Sequence, residues 1–133
     1  MPKPDFKHFF LEGIEHFNSR RFWNAHESWE TLWLEAESDL VEFLQGLIQL
    51  AAAYHHIQRG TLRGAPRLFA AALKRLEPFP RLCCGVDWTA VETAARRHWK
   101  WLEDGPESPL ESSEYPKLLV PDGSAIAPAS LQW

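Results

Sequence analysis

Residues 40–60 read LVEFLQGLIQLAAAYHHIQRG, and the way this stretch folds decides the architecture. Leu40, Val41, Phe43, Leu44, Leu47, Ile48, Leu50, Ala51, Ala53, Tyr54 and Ile57 fall on nearly every side of a helix running from about Asp39 to Arg59, with Gly60 as its stop. A helix apolar almost all round belongs in the middle of a bundle. One polar stripe interrupts it: Gln45, Gln49, Ala52 and His56 follow steps of four, three and four, while His55 lies about 100° away. A buried polar group costs a few kcal/mol unless it is paired, so this stripe must face something polar.

The flanking segments supply the layers around it. Phe6, Phe9, Phe10, Ile14 and Phe17 mark one face of a first helix ending near Asn18 and Ser19. A second begins near Arg20 and carries Phe22, Trp23, Trp29, Leu32 and Trp33 before the acidic segment 35–39, where Ser38 is the expected cap of the third. A fourth starts near Gly64 to Pro66, presents Leu68, Phe69, Leu73 and Leu76, and stops at Pro78 and Pro80. A fifth, capped by Asp87, runs through Trp88, Val91, Trp99 and Leu102 to Gly105.

Ala25, Trp29 and Trp33 are echoed forty residues later by Ala65, Phe69 and Leu73. The echo suggests two hairpins, too few units for a solenoid. The expectation is an all-α, single-domain bundle of about five helices: two antiparallel hairpins and a fifth helix over 1–104, then an extended C-terminal arm over 105–133. That arm holds five of the ten prolines and no periodicity. Leu118 to Val120 are expected to pack on the bundle, and the last ten or so residues to be mobile.

Bulk composition bounds the function. A chain of 133 residues suits one core. A net charge of −4 lacks the clustered Lys/Arg surface of a nucleic-acid binder. The N-terminus has no apolar leader, and the longest apolar run, Leu47 to Tyr54, is broken by Gln49, so no membrane segment is expected and the protein reads as cytoplasmic. Cys83 and Cys84 are adjacent and cannot close an ordinary stabilising loop; they read as reduced, half-buried residues, with a vicinal redox switch as the alternative.

The chemistry concentrates in residues 24–33, NAHESWETLW. His26, Glu30 and Trp33 stand at i, i+4 and i+7, sharing one face that Glu37 continues. The imidazole and carboxylate can bind one metal ion, hydrogen-bond to each other, or act as base and orienting group. The stripe on the third helix is the obvious counterpart. His26 and Glu30 are therefore candidate metal ligands, His56 (or His55) the third, Gln45 and Gln49 outer or substrate contacts, and Trp29 and Trp33 an apolar wall.

HESWE resembles the zincin pattern with Glu30 in place of the second histidine, which would make Glu27 a base. A bundle this small offers no evident protease cleft. Ferritin-like chemistry needs Glu-x-x-His on two helices, and that spacing is absent. Ser28 and His26 do not face each other on a helix. His8, His16 and Glu12 read as a surface group, with Glu12 and His16 as an i,i+4 pair, and His98 as a cation near a helix C-terminus. Arg59, Arg63 and Arg67 could hold an anion at the start of the fourth helix, against the plainer reading of a solvated basic edge.

The blocks FNSRRFWNAHESWETLW (17–33), FLQGLIQLAAAYHH (43–56) and RGTLRGAPRLF (59–69), in this order and spacing, resemble a bacterial and archaeal family of small all-helical proteins catalogued as domain of unknown function 309. The resemblance covers about the first 80 residues. It implies a helical fold and a hallmark H-x-x-x-E-x-x-W/Y, met by His26, Glu30 and Trp33, for which metal binding has been proposed. No activity is attached to the family.

Three functions remain in view. One is a divalent-metal site (Zn, Mn, Fe or Ni) between helices two and three, performing metal-assisted hydrolysis if it is catalytic. Another is a non-enzymatic interaction module in which the same residues form a structural hydrogen-bond network. The last is a metal-free small-molecule or anion pocket. The partner, small molecule or protein, is not identified by the sequence, and an oligomer is compatible with all three.

Overall fold

In the computed structural model, which describes residues 4–37 and 39–121, α3 (Leu40–Arg59) is the central helix. Eleven of its residues are buried, Leu40 through Ile57, as its all-round apolar character requires. α2 (Phe22–Trp33) and α4 (Ala65–Leu76) pack against it, α1 (Phe6–Asn18) packs on α2, and α5 (Thr89–Glu103) packs on α4. The result is an all-α bundle of two helix hairpins and a fifth helix. The forty-residue echo corresponds to the two helices that flank α3: Ala25 and Trp29 in α2, and Ala65 and Phe69 in α4, are all fully buried.

Glycine allows the closest approaches. A Cβ on Gly13 would stand 2.2 Å from Trp29 Nε1, so α1 presents bare backbone to the indole, which donates to the Phe10 carbonyl at 3.2 Å. A Cβ on Gly46 would meet Leu76 at 2.6 Å, bringing α3 and α4 together in the same way. Between these contacts the core is aromatic: the Tyr54 ring lies 5.4 Å from Phe22 and 5.1 Å from Phe69. Full burial of each such ring stabilises by roughly 1.5–3 kcal/mol.

Helix ends follow their capping chemistry. Asp5 accepts from the His8 amide at the start of α1. At its end, the Arg21 N–H reaches the His16 carbonyl and Arg20 N–H the Phe17 carbonyl, a Schellman closure with Arg20 held at φ 63°. α3 ends in the same way on Gly60, at φ 76°. The second helix thus begins at Phe22, two residues later than the expected Arg20, because Arg20 belongs to the turn. Ser38, the expected cap of α3, lies outside the described residues.

Several other sequence expectations need correction. Between α4 and α5 the chain forms a small antiparallel hairpin, β1 (Leu82–Cys83) with β2 (Val86–Asp87), which no periodicity announced. Its two-residue loop, Cys84-Gly85, has positive φ at both positions, 56° and 78°, as a type I′ turn demands. Trp88 precedes α5 instead of opening it: its indole donates to the Pro80 carbonyl at 2.8 Å and lies beneath the Arg81 guanidinium. The Asp87 carboxylate does serve the helix start, accepting from the Thr89 amide at 2.9 Å, which holds its pKa below the usual value.

The arm folds back over this hairpin. Leu118 is buried and exchanges two hydrogen bonds with the Asn18 side chain, at 2.7 and 2.8 Å, while Leu119 pairs with Asp87 through both backbone groups. The expected mobile tail from residue 122 onward lies outside the described residues.

His98 is not a solvated cation. It is 3% exposed, shares a 2.8 Å hydrogen bond with the Tyr54 hydroxyl, and has its pKa lowered to about 4, chiefly by burial. Glu12 pairs with His8 at 3.5 Å and accepts from Ser28 Oγ at 2.7 Å, instead of pairing with His16, whose Nδ1 accepts from Arg21.

Candidate polar site at the seam of α2 and α3

α2 divides its residues between two neighbours. Ala25, Trp29 and Leu32 are buried in the core, Trp29 lies on Gly13 of α1, and Ser28 bonds to Glu12 of α1. His26, Glu30 and Trp33 occupy the other flank. His26 Nε2 stands 3.3 Å from Glu30 Oε2, the imidazole largely covered and the carboxylate about half exposed. Trp23, one turn earlier and 49% exposed, stacks on the His26 ring with centroids 4.7 Å apart and planes at 13°.

Two contacts fix how α2 and α3 align. Gln58 Nε2 donates to the Arg20 carbonyl at 2.8 Å, and the rings of Trp23 and His55 lie 5.2 Å apart. In an antiparallel pair each residue forward on one helix matches one residue back on the other. Ala52 is therefore level with His26, Gln49 with Trp29, and Gln45 with Trp33. The stripe is thus small at the level of His26, and a glutamine stands at each of the next two levels.

Three polar atoms in this region are buried and find no hydrogen-bond partner among the described residues: His26 Nδ1, Trp33 Nε1 and Gln49 Oε1. They comprise an indole donor, an amide acceptor and an imidazole nitrogen that can be either, spread along about two turns of the seam.

The two histidines at the end of α3 part company. His56 Nδ1 bonds to Thr61 Oγ1 at 2.8 Å, and its ring covers Gly64, where a Cβ would come within 3.1 Å; it is turned to the α3–α4 connection. His55 lies on the His26 side, against Trp23. Its pKa is lowered by burial and by the neighbouring Arg59, His56 and His26. Glu27 is exposed, and its backbone carbonyl accepts from Thr31 Oγ1. Arg59, Arg63 and Arg67 are exposed around the entrance to α4.

A divalent ion meets half of what it needs. Two ligands about 2.1 Å from one ion at a tetrahedral angle stand roughly 3.4 Å apart, close to the His26–Glu30 separation. A ligating histidine normally donates its second nitrogen to an acceptor, however, and His26 Nδ1 has none. Among the described residues no three His, Cys, Asp or Glu side chains converge as a metal-holding group. The side chains fit two coordination positions and not a closed site.

Trp29, expected in the wall of this site, lies on the α1 side instead. The stacking partner of His26 is Trp23, three residues earlier on the adjoining part of the same face.

Residues 10–68 match the family model described as Domain of unknown function (DUF309). The match runs from α1 into α4 and contains both sides of the seam; the hairpin, α5 and the arm lie beyond it. None of the curated proteins matches the chain.

Proposed function

We propose, on the premise that residues 10–68 are a domain of this family, that the domain is a binding module whose α2–α3 seam seats a small polar molecule. The observation that carries the reading is the set of three buried polar atoms without partners: His26 Nδ1, Trp33 Nε1 and Gln49 Oε1. A buried polar group left without any partner costs about 1–3 kcal/mol, so these atoms call for partners from outside the chain. Polar residues retained only to fix helix register would satisfy one another. A ligand offering an acceptor to Trp33 and a donor to Gln49, such as an amide or a carboxylic acid with a neighbouring amine or hydroxyl, satisfies them instead. The His26–Glu30 pair then lies at the edge of the seat, with Trp23 covering the imidazole.

The test is thermal denaturation against a panel of small amides, amino acids and hydroxy acids. A compound that fills the seat stabilises the protein by about 2.7 kcal/mol at a hundred times its Kd. It should have no effect on Trp33→Phe or Gln49→Leu. A compound that stabilises these variants as much as the wild type does not bind at the seam.

The 3.3 Å separation of His26 Nε2 and Glu30 Oε2 favours a second reading, a divalent ion held by these two residues and otherwise by water or ligand. Under that reading Zn or Mn alone raises the melting temperature, and His26→Ala abolishes the rise while Gln49→Leu does not.

A further inference from the structure

A second feature, outside the seam and sharing no residue with it, lies where the hairpin leans on the α3–α4 pair. A groove of about 800 Å³ is lined there by Asp39, Lys74, Arg75, Phe79 and both cysteines of the chain, a volume in the range of small-molecule sites. Cys83 and Cys84 are free thiols with Sγ atoms 3.8 Å apart, packed among the buried residues but bordering the groove. Cys84 holds the first loop position of the type I′ turn at φ 56°, where glycine or asparagine would be less strained. Its side chain is nonetheless buried at the edge of the core, 6% exposed.

The rim carries complementary charges. Glu42 and Arg75 neutralise each other in an ion pair. Among the described residues the Lys74 ammonium and the Asp39 carboxylate have no such partner, leaving one positive and one negative group on the groove wall.

We propose that Cys83 and Cys84 form an exchange site for a zwitterionic low-molecular-weight disulfide, the disulfide of an amino-acid-type thiol, seated in this groove. Its carboxylate meets Lys74 and its ammonium meets Asp39. The Cys83 thiolate attacks one sulfur of the small disulfide, forming a mixed disulfide and releasing the other half as a thiolate. Cys84 loses its proton to solvent and attacks Cys83 Sγ, closing the Cys83–Cys84 bond and expelling the second thiolate. The two thiolates take up the two protons lost by the cysteines, so the protein dithiol is oxidised by two electrons and the small disulfide becomes two thiols. The order of attack agrees with the Cys84 hydrogen bond, which lowers the Cys83 pKa. A ring closed between adjacent residues is strained, so excess thiol reopens it.

The test uses the reduced full chain with cystine, with cystamine, which carries only ammonium groups, and with dithiodiglycolate, which carries only carboxylates. Intact mass is followed over time. Relative to the same chain unfolded in urea, where only the intrinsic leaving-group differences act, the folded chain should favour cystine over either of the others by a further fivefold or so, the gain that two exposed ion pairs allow. Wild type should end two hydrogens lighter, and Cys84→Ser should stop at the mixed disulfide. The same rate ratios in buffer as in urea, or thiols that react only as fast as the chain unfolds, overturn the proposal. A wild-type chain that accumulates the mixed disulfide contradicts the role of Cys84. The comparison among disulfides is made on the wild type, so it does not depend on any variant folding.

Discussion

Replacing His98 by glutamine should flatten the acid sensitivity of the fold by a calculable amount. His98 is buried against Tyr54 and has its pKa lowered from 6.5 to about 4, chiefly by the loss of hydration, with the neighbouring Arg97 adding to the shift and Glu114 opposing it. The Tyr54 hydroxyl, its own pKa raised by the same burial, stays neutral beside it. As pH falls below 6.5 the unfolded chain protonates this histidine while the folded chain does not. The stability it supports is therefore complete above that pH and is lost progressively down to about 4.

Between pH 7 and pH 5 the linkage amounts to about 2 kcal/mol at 1.36 kcal/mol per unit. With a urea slope of about 1–3 kcal/mol/M, that moves the unfolding midpoint by roughly 1 M. Urea titrations followed by tryptophan fluorescence at the two pH values read it directly. His55, whose pKa is also lowered, contributes in the same direction in both proteins. The difference between wild type and His98→Gln isolates the buried imidazole, and glutamine can retain a hydrogen bond to Tyr54. Identical midpoint shifts in the two proteins would refute the claim that His98 is held neutral by burial.

Other changes probe the packing that positions the seam. Gly13→Ala puts a methyl 2.2 Å from Trp29 Nε1 and should displace the indole from the Phe10 carbonyl, costing about 1–3 kcal/mol or more in overpacking, read as a fall in melting temperature. Asn18→Ala removes both side-chain bonds to Leu118 and should expose the arm beyond Gly105 to limited proteolysis while the helices stay protected. Thr61→Val breaks the bond to His56 Nδ1 and should lower stability by about 1 kcal/mol, leaving any ligand response of the seam unchanged.

The bundle was legible because its helices are written in apolar spacing: the central place of α3 follows from residues 40–57 alone. The location of the seam was legible for the same reason, since i,i+4 and i,i+7 steps force His26, Glu30 and Trp33 onto one flank. Which end-of-helix histidine joins them was not. That is set in the α3–α4 connection, where Thr61 and Gly64 take up His56 and leave His55 beside Trp23, contacts that hydrophobic period does not encode. The hairpin escaped notice because its two-residue strands are too short to alternate, and Cys-Gly is an unusual writing of a type I′ loop. His98 looked like a surface cation because its burial comes from Tyr54 on α3, forty-four residues away in sequence.

The central claim is that the buried polar atoms of the α2–α3 seam belong to a ligand. A high-resolution crystal structure of the protein purified without added small carboxylates or amides tests it most directly. The account predicts continuous density of several atoms joining Trp33 Nε1 to Gln49 Oε1 and reaching His26. It is contradicted if those atoms bond to one another, or to nothing more than separate single waters.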